Sequence, residues 1–197
     1  MDPAIGLLEF DSIAIGIRAG DAMVKRGPVA ELVAGTVHPG KYLVLVGGDV
    51  AAVEEALAAG REASGGSIVG EVFLRDVHPD VLAAVHGQRV PGAGEAIGVI
   101  ETTTVAATLE AADAAVKGAD VFLMELNMAD GLGGKAYALF CGSVFDVEAA
   151  ISIGSARIPM GALVGTVVIP QVHAEMGNNL LSGRRFGDRL GRDDAAG

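Results

Sequence analysis

"AIGLLE", residues 4–9, returns as "AIGVIE" at residues 96–101, and the two hexapeptides are the first of a series of matches. "GDAMVK" at 20–25 answers "ADAAVK" at 112–117, "GGDVAAVEEA" at 47–56 answers "CGSVFDVEAA" at 141–150, and the "VH" at 77–78 answers the "VH" at 172–173. The spacing is about 92 to 95 residues, far above the period of a solenoid, so each copy reads as a domain with its own core. Residues 1–88 form the first domain and 96–182 the second. A linker at 89–95 lies in the Gly- and Pro-rich stretch "HGQRVPGAGE", and residues 183–197 read as a flexible tail.

Each copy carries the same order of elements. A short apolar strand at 5–10, or 97–102, is followed by a helix over 13–25, with Ile13, Ile17, Gly20 and Val24 at helical spacing. Ser12 or Asp11 can cap that helix, and Lys25 stands at its end, where it suits the dipole. "VAELVAGTV" and "KYLVLVGG" are β-rich runs joined by "HPG", a hairpin-like pair in which Pro39 and Gly40 supply turn dihedrals. A second helix starts at Asp49, and its counterpart at Ser143, with Asp146 three residues on as in a capping box. Val50, Val53 and Leu57 recur on one face, as do Val144, Val147 and Ile151. "IVGEVFL" or "LVGTVVI" closes the unit. The β-α-β-β-α-β order predicts an α/β (α+β) chain of two tandem ferredoxin-like, split βαβ sandwiches, each with helices on one side of a mainly antiparallel sheet.

Composition narrows the function. With 197 residues, 51% hydrophobic and 20% charged, the chain has enough apolar side chains for a core in each copy, and disorder is excluded. A net charge of −11 argues against a nucleic-acid partner. No apolar run approaches the roughly 20 residues of a membrane span, and "MDPAIGLLEF" lacks the basic and apolar regions of a signal peptide, so a soluble cytoplasmic protein is expected. A single cysteine, Cys141, fits a reducing compartment and reads as a buried, inert thiol. "GLGGKA" at 131–136 is set aside as a nucleotide loop: a strand follows where a helix is required, and Ala136 follows the lysine. No Ser-His-acid set, HExxH or paired carboxylates on one helix face is present as a sequence pattern, so no enzyme is expected.

The paired "AIGLLE" and "AIGVIE", the helix ends "DAMVK" and "DAAVK", the loops "HPGK" and "DGLGGK" and the "GDVAAVEEA" helix together resemble the shell-protein domain of bacterial microcompartments, in unpermuted order. The tandem form, with "PGKYLVLVGGDV", is similar to the tandem-domain shell proteins of propanediol-utilisation compartments. The resemblance implies a structural tile located in the microcompartment shell, a homotrimer that mimics a six-fold disc. Other shell proteins would be its neighbours, and small metabolites or electrons would cross at its centre. It also implies a pore lined by His38, Pro39 and Gly40, alternating with Gly131, Leu132, Gly133 and Gly134, the glycines being explained by crowding at the axis. Lys25 and Lys117 would lie at the disc edge, and the recurrence of His78 and His173 at one place in both copies argues for a structural or interface hydrogen bond at each. "RDVH" at 75–78 and "PQVH" at 170–173 depart from the family's Pro-Arg-Pro-His, Asp76 and Gln171 replacing its arginine, so tiling contacts are expected to differ.

Three readings of His38 stand: a solvated pore residue, a pH-tuned constriction, or a metal site in which three symmetry-related imidazoles hold Zn, Cu or Ni on the axis. Relatives of this type carry Cys in this loop and hold an iron-sulfur cluster; with His38 the thiolates are lost and that cluster is in doubt. Two further functions compete with the tile: a trimeric metal or redox carrier, and a ligand-binding regulator, since similar sandwiches serve as allosteric sensors.

Overall fold

The computed structural model describes residues 4–91 and 94–181. The first copy runs β1 (Ala4–Phe10), α1 (Ile13–Arg26), β2 (Glu31–Val37), β3 (Lys41–Gly48), α2 (Val50–Ala63), β4 (Ile68–Leu74) and α3 (Pro79–Val85). The second runs β5 (Ala96–Thr102), α4 (Val105–Gly118), β6 (Phe122–Met128), β7 (Ala136–Gly142), α5 (Val144–Ser155), β8 (Leu163–Pro170) and α6 (Ala174–Leu181). The sheets have equivalent orders, β2-β3-β1-β4 and β6-β7-β5-β8, and every pairing is antiparallel.

The caps expected from the sequence form. Ser12 accepts from the Ile15 amide, Asp49 from Ala52 and Ser143 from Asp146. The Ser143 hydroxyl also meets Asp146 Oδ2 at 2.6 Å. β1 alternates two buried faces. Leu8 and Phe10 join the α1–α2 core with Met23, Val53 and Leu57, and a Cβ on Gly6 would come within 2.8 Å of Leu57 Cδ1. Ile5 and Leu7 face the other way, into a cluster with Val72 and Leu74 that continues through Val105, Leu109 and Val116 of α4 to Ala138 and Phe140. The second domain therefore covers the outer face of the first sheet, and one apolar core spans the junction.

The structure goes beyond the sequence reading at three places. On α1 the residues at helical spacing divide: Ile13, Ile17 and Val24 are exposed, while Gly20 is buried and packs together with Gly16, Ala19 and Met23. Periodicity locates an apolar face without saying what it packs against. The two closing helices, α3 and α6, were not anticipated; the sequence reading ended each copy at its last strand. Third, residues 86–91, around the start of the linker, make tertiary contacts. His86 ends α3, the Val90 amide donates to the Met124 carbonyl at 3.1 Å, and Arg89 pairs with the buried Glu125 and donates to the Leu180 carbonyl at 2.7 Å. Residues 183–197, read as a tail, lie outside the described residues.

Candidate functional site

The hairpin after β2 is a three-residue turn, His38–Pro39–Gly40, closed by the Gly40 amide on the Val37 carbonyl at 2.9 Å. Its equivalent between β6 and β7 is longer. Leu132 N–H donates to the Ala129 carbonyl at 3.1 Å and Lys135 N–H to Leu132 at 3.3 Å, with Gly131, Gly133 and Gly134 all at positive φ. A Cβ on Gly40, Gly131 or Gly133 would meet nothing within 4 Å of the same chain, where these glycines answer to the positive φ of their backbone.

Gly134 differs, because its absent side chain would lie 3.1 Å from Pro39 Cδ and 3.3 Å from Lys41 Cε. The two turns, 93 residues apart, are thus neighbours, and Lys41 fastens them. Its ammonium donates to the carbonyls of Gly134 at 3.3 Å and Thr103 at 3.2 Å, and stands 3.5 Å from Glu9 Oε2. Glu9 is fully buried and accepts from the Ala106 amide at 2.7 Å, in the first turn of α4. This carboxylate thereby satisfies one of the unpaired N–H groups of a helix start, where the dipole favours negative charge.

Desolvation is the larger influence on Glu9 and raises its pKa above the ordinary 4.5, against the bonds from Ala106 and Lys41, which lower it. The folded chain then binds more protons than the unfolded one between pH 4.5 and the raised value, so the contribution of Glu9 to stability falls as pH rises through that window. Glu9→Gln is expected to flatten this dependence: acidifying from pH 7 towards 4.5 should favour the native chain over the variant in urea unfolding midpoints. A difference between the two proteins that does not change with pH would contradict the raised carboxyl.

Of the residues assigned to interfaces, the structure brings together Lys117 and His78. Asp113 bridges them, taking the His78 amide at 2.8 Å on one oxygen and Lys117 Nζ at 2.7 Å on the other, and Lys117 also reaches the Asp76 carbonyl. His78 Nδ1 caps α3 by accepting from the Asp80 amide at 3.2 Å. Lys25 and His173 are not joined. Lys25 pairs with Asp21 one turn back at 2.5 Å, and His173 accepts from the Glu175 amide at 3.3 Å. Sequence reading missed Glu9, Lys41 and Asp113. A signal existed, since Glu101, Lys135 and Asp21 hold the same places in the other copy.

The BMC domain family model matches residues 4–77 and again 96–172. The chain is also 42% identical over 184 residues to the bacterial microcompartment shell protein PduT of Citrobacter freundii, covering 93% of this chain and all of that one. The chain belongs to the BMC-domain family. A crystal structure of a microcompartments protein from Desulfitobacterium hafniense DCB shares the arrangement with a TM-score of 0.77 and 40% identity, over 90% of this chain and 99% of that one. The shell protein EutM of Salmonella typhimurium is 39% identical over 83 residues, 42% of this chain but 84% of its own length, as expected if this chain holds two BMC domains where EutM holds one.

Within this BMC-domain chain the loops do not fit an iron-sulfur cluster. His38 offers an imidazole where a thiolate is needed, and Cys141 is buried in β7. Among the described residues no three His, Cys, Asp or Glu side chains gather to hold a metal ion, so a metal at the turn would need His38 from several copies. Ala136 opens β7 directly after "GLGGK", as the rejection of a nucleotide loop requires. No helix among the described residues is long and apolar enough to cross a membrane.

Proposed function

We propose that the chain is a structural tile of a bacterial microcompartment shell that closes as a homotrimer, with its two hairpin turns lining a central pore for small metabolites. Membership of the BMC-domain family supports a structural role in place of a catalytic one, with other shell proteins as neighbours. The observation that carries the pore is the Lys41–Gly134 contact. It holds His38, Pro39 and Gly40 beside the 131–134 turn, so a ring that carries one of the turns to its axis carries both. The trimer is supported by the unlike surfaces at the two ends of the chain, α1 at one and β8 at the other, both apolar and both exposed. Such head-to-tail surfaces close into a ring where the rotation from copy to copy closes, and two like domains per chain make three chains the count that mimics six-fold symmetry.

Native mass spectrometry of the full chain is expected to give a mass of three chains, and negative-stain electron microscopy to show sheets or tubes at high concentration. A monomer at all concentrations would defeat this reading.

A further inference from the structure

The junction between the two domains is a seam already closed inside the chain, and each of its parts has an open counterpart. In the closed seam Val105, Leu109 and Val116 of α4 are buried against Val72 and Leu74 of β4. At the same repeat positions Ile13, Ile17 and Val24 of α1 are exposed, and so are Val167 and Ile169 of β8: Ile17 is 54% exposed where Leu109 is 0%, and Val167 44% where Val72 is 4%. Met176 of α6 is exposed where its counterpart Val81 of α3 is fully buried.

The polar elements repeat as well. Glu9 receives the Ala106 amide, and Lys41 bonds the carbonyls of Thr103 and Gly134. Their counterparts, Glu101 and Lys135, pair with each other at 2.6 Å on partly exposed surface. α1 opens as α4 does, Ser12 capping Ile15 as Thr104 caps Ala107, so Ala14 occupies the place of Ala106.

We propose that a second copy of this chain seats its α1 stripe on β8, and that Glu101 accepts the backbone amide of Ala14 of that copy while Lys135 bonds the carbonyls of its Asp11 and Gly40. This rests on the ring proposed above and names the groups that latch it. The occupant follows from the chain itself, which fills the equivalent surface with its own second domain. Closure buries a carboxylate against a helix start and covers two apolar faces together, so Glu101 decides register while Ile13, Ile17 and Val24 supply area.

The full chain, Glu101→Ala and Glu101→Gln are to be diluted and followed by mass photometry, with circular dichroism as a check on the fold. Glu101→Ala should dissociate at a concentration at least tenfold above that of the native chain, with Glu101→Gln between them because its amide oxygen still accepts one bond. As a second measurement, a chain carrying both Ala14→Cys and Glu101→Cys should give an oxidised ladder of dimers and trimers, lost on reduction. Unchanged dissociation of Glu101→Ala, or no ladder, would overturn the latch while leaving the ring standing. A native chain that never associates would remove the ring itself.

Discussion

Leu109→Ala is expected to cost the folded chain about 2–5 kcal/mol, whereas Ile17→Ala, at the equivalent position of the other copy, should change it by no more than about 0.5 kcal/mol. Leucine and isoleucine are of equal size, and what separates the two positions is what lies over them. Leu109 is fully buried, between the outer face of the first sheet and the core of its own domain, so truncation leaves a cavity that neither domain can collapse into. Ile17 projects from α1 with half its surface exposed, and the helix is held through the adjoining face of Gly16, Ala19, Gly20 and Met23. Urea unfolding below the concentration of assembly separates the two effects, because association would stabilise the native state by mass action. At higher concentration the order of defects reverses: Ile17→Asp should keep the fold yet remove the trimer. If Ile17→Ala proved as costly as Leu109→Ala in dilute solution, α1 would be buried within a single chain, and the open seam would not exist.

That contrast also marks how far the sequence could be read. The strands, the hairpin turns and the caps at Ser12, Asp49 and Ser143 are local, each set by alternation or by a side chain reaching three residues along, and all are found where the repeat places them. Val53 and Leu57 on α2, and Val147 and Ile151 on α5, are buried as their spacing predicts. What failed was long-range. Glu9 and Lys41 are 32 residues apart and Lys41 and Gly134 are 93 apart, and no periodicity links such partners. The spacing of Ile13, Ile17 and Val24 marked α1 as apolar but did not say that this face would stay exposed in a single chain, because an exposed apolar stripe has the same period as a buried one. α3 carried a usable sign in Pro79 at its first position, but its cap is His78, outside the usual capping residues. The two hairpin turns were legible in the sequence, while the Lys41–Gly134 contact that joins them had to be seen in three dimensions.

Gly154→Ala is expected to destabilise the chain by about 1–3 kcal/mol, while Gly60→Ala, its counterpart in the first copy, should be tolerated within about 1 kcal/mol. In both helices the substitution gains about 0.5–1 kcal/mol of backbone entropy, so the outcome turns on what the new methyl meets. At Gly60 the nearest atoms are Leu8 Cδ1 at 2.5 Å and Met23 Sδ at 2.9 Å, the far ends of side chains that can turn aside. At Gly154 the methyl would stand 2.7 Å from Ile100 Cδ1 and 2.8 Å from the Ala111 carbonyl oxygen, and that oxygen belongs to the backbone of α4. It moves only if the helix moves. α4 is pressed on its other side against β4 through Leu109, so displacing it strains the junction between domains as well as the α4–α5 contact. The chain carrying Gly154→Ala should therefore show both a lower urea midpoint and faster hydrogen exchange at the first turn of α4, where Glu9 holds the Ala106 amide. Loss of stability without faster exchange at Ala106 would mean that α5 yields and α4 stays fixed, and the coupling between the glycine contact and the domain seam would be wrong.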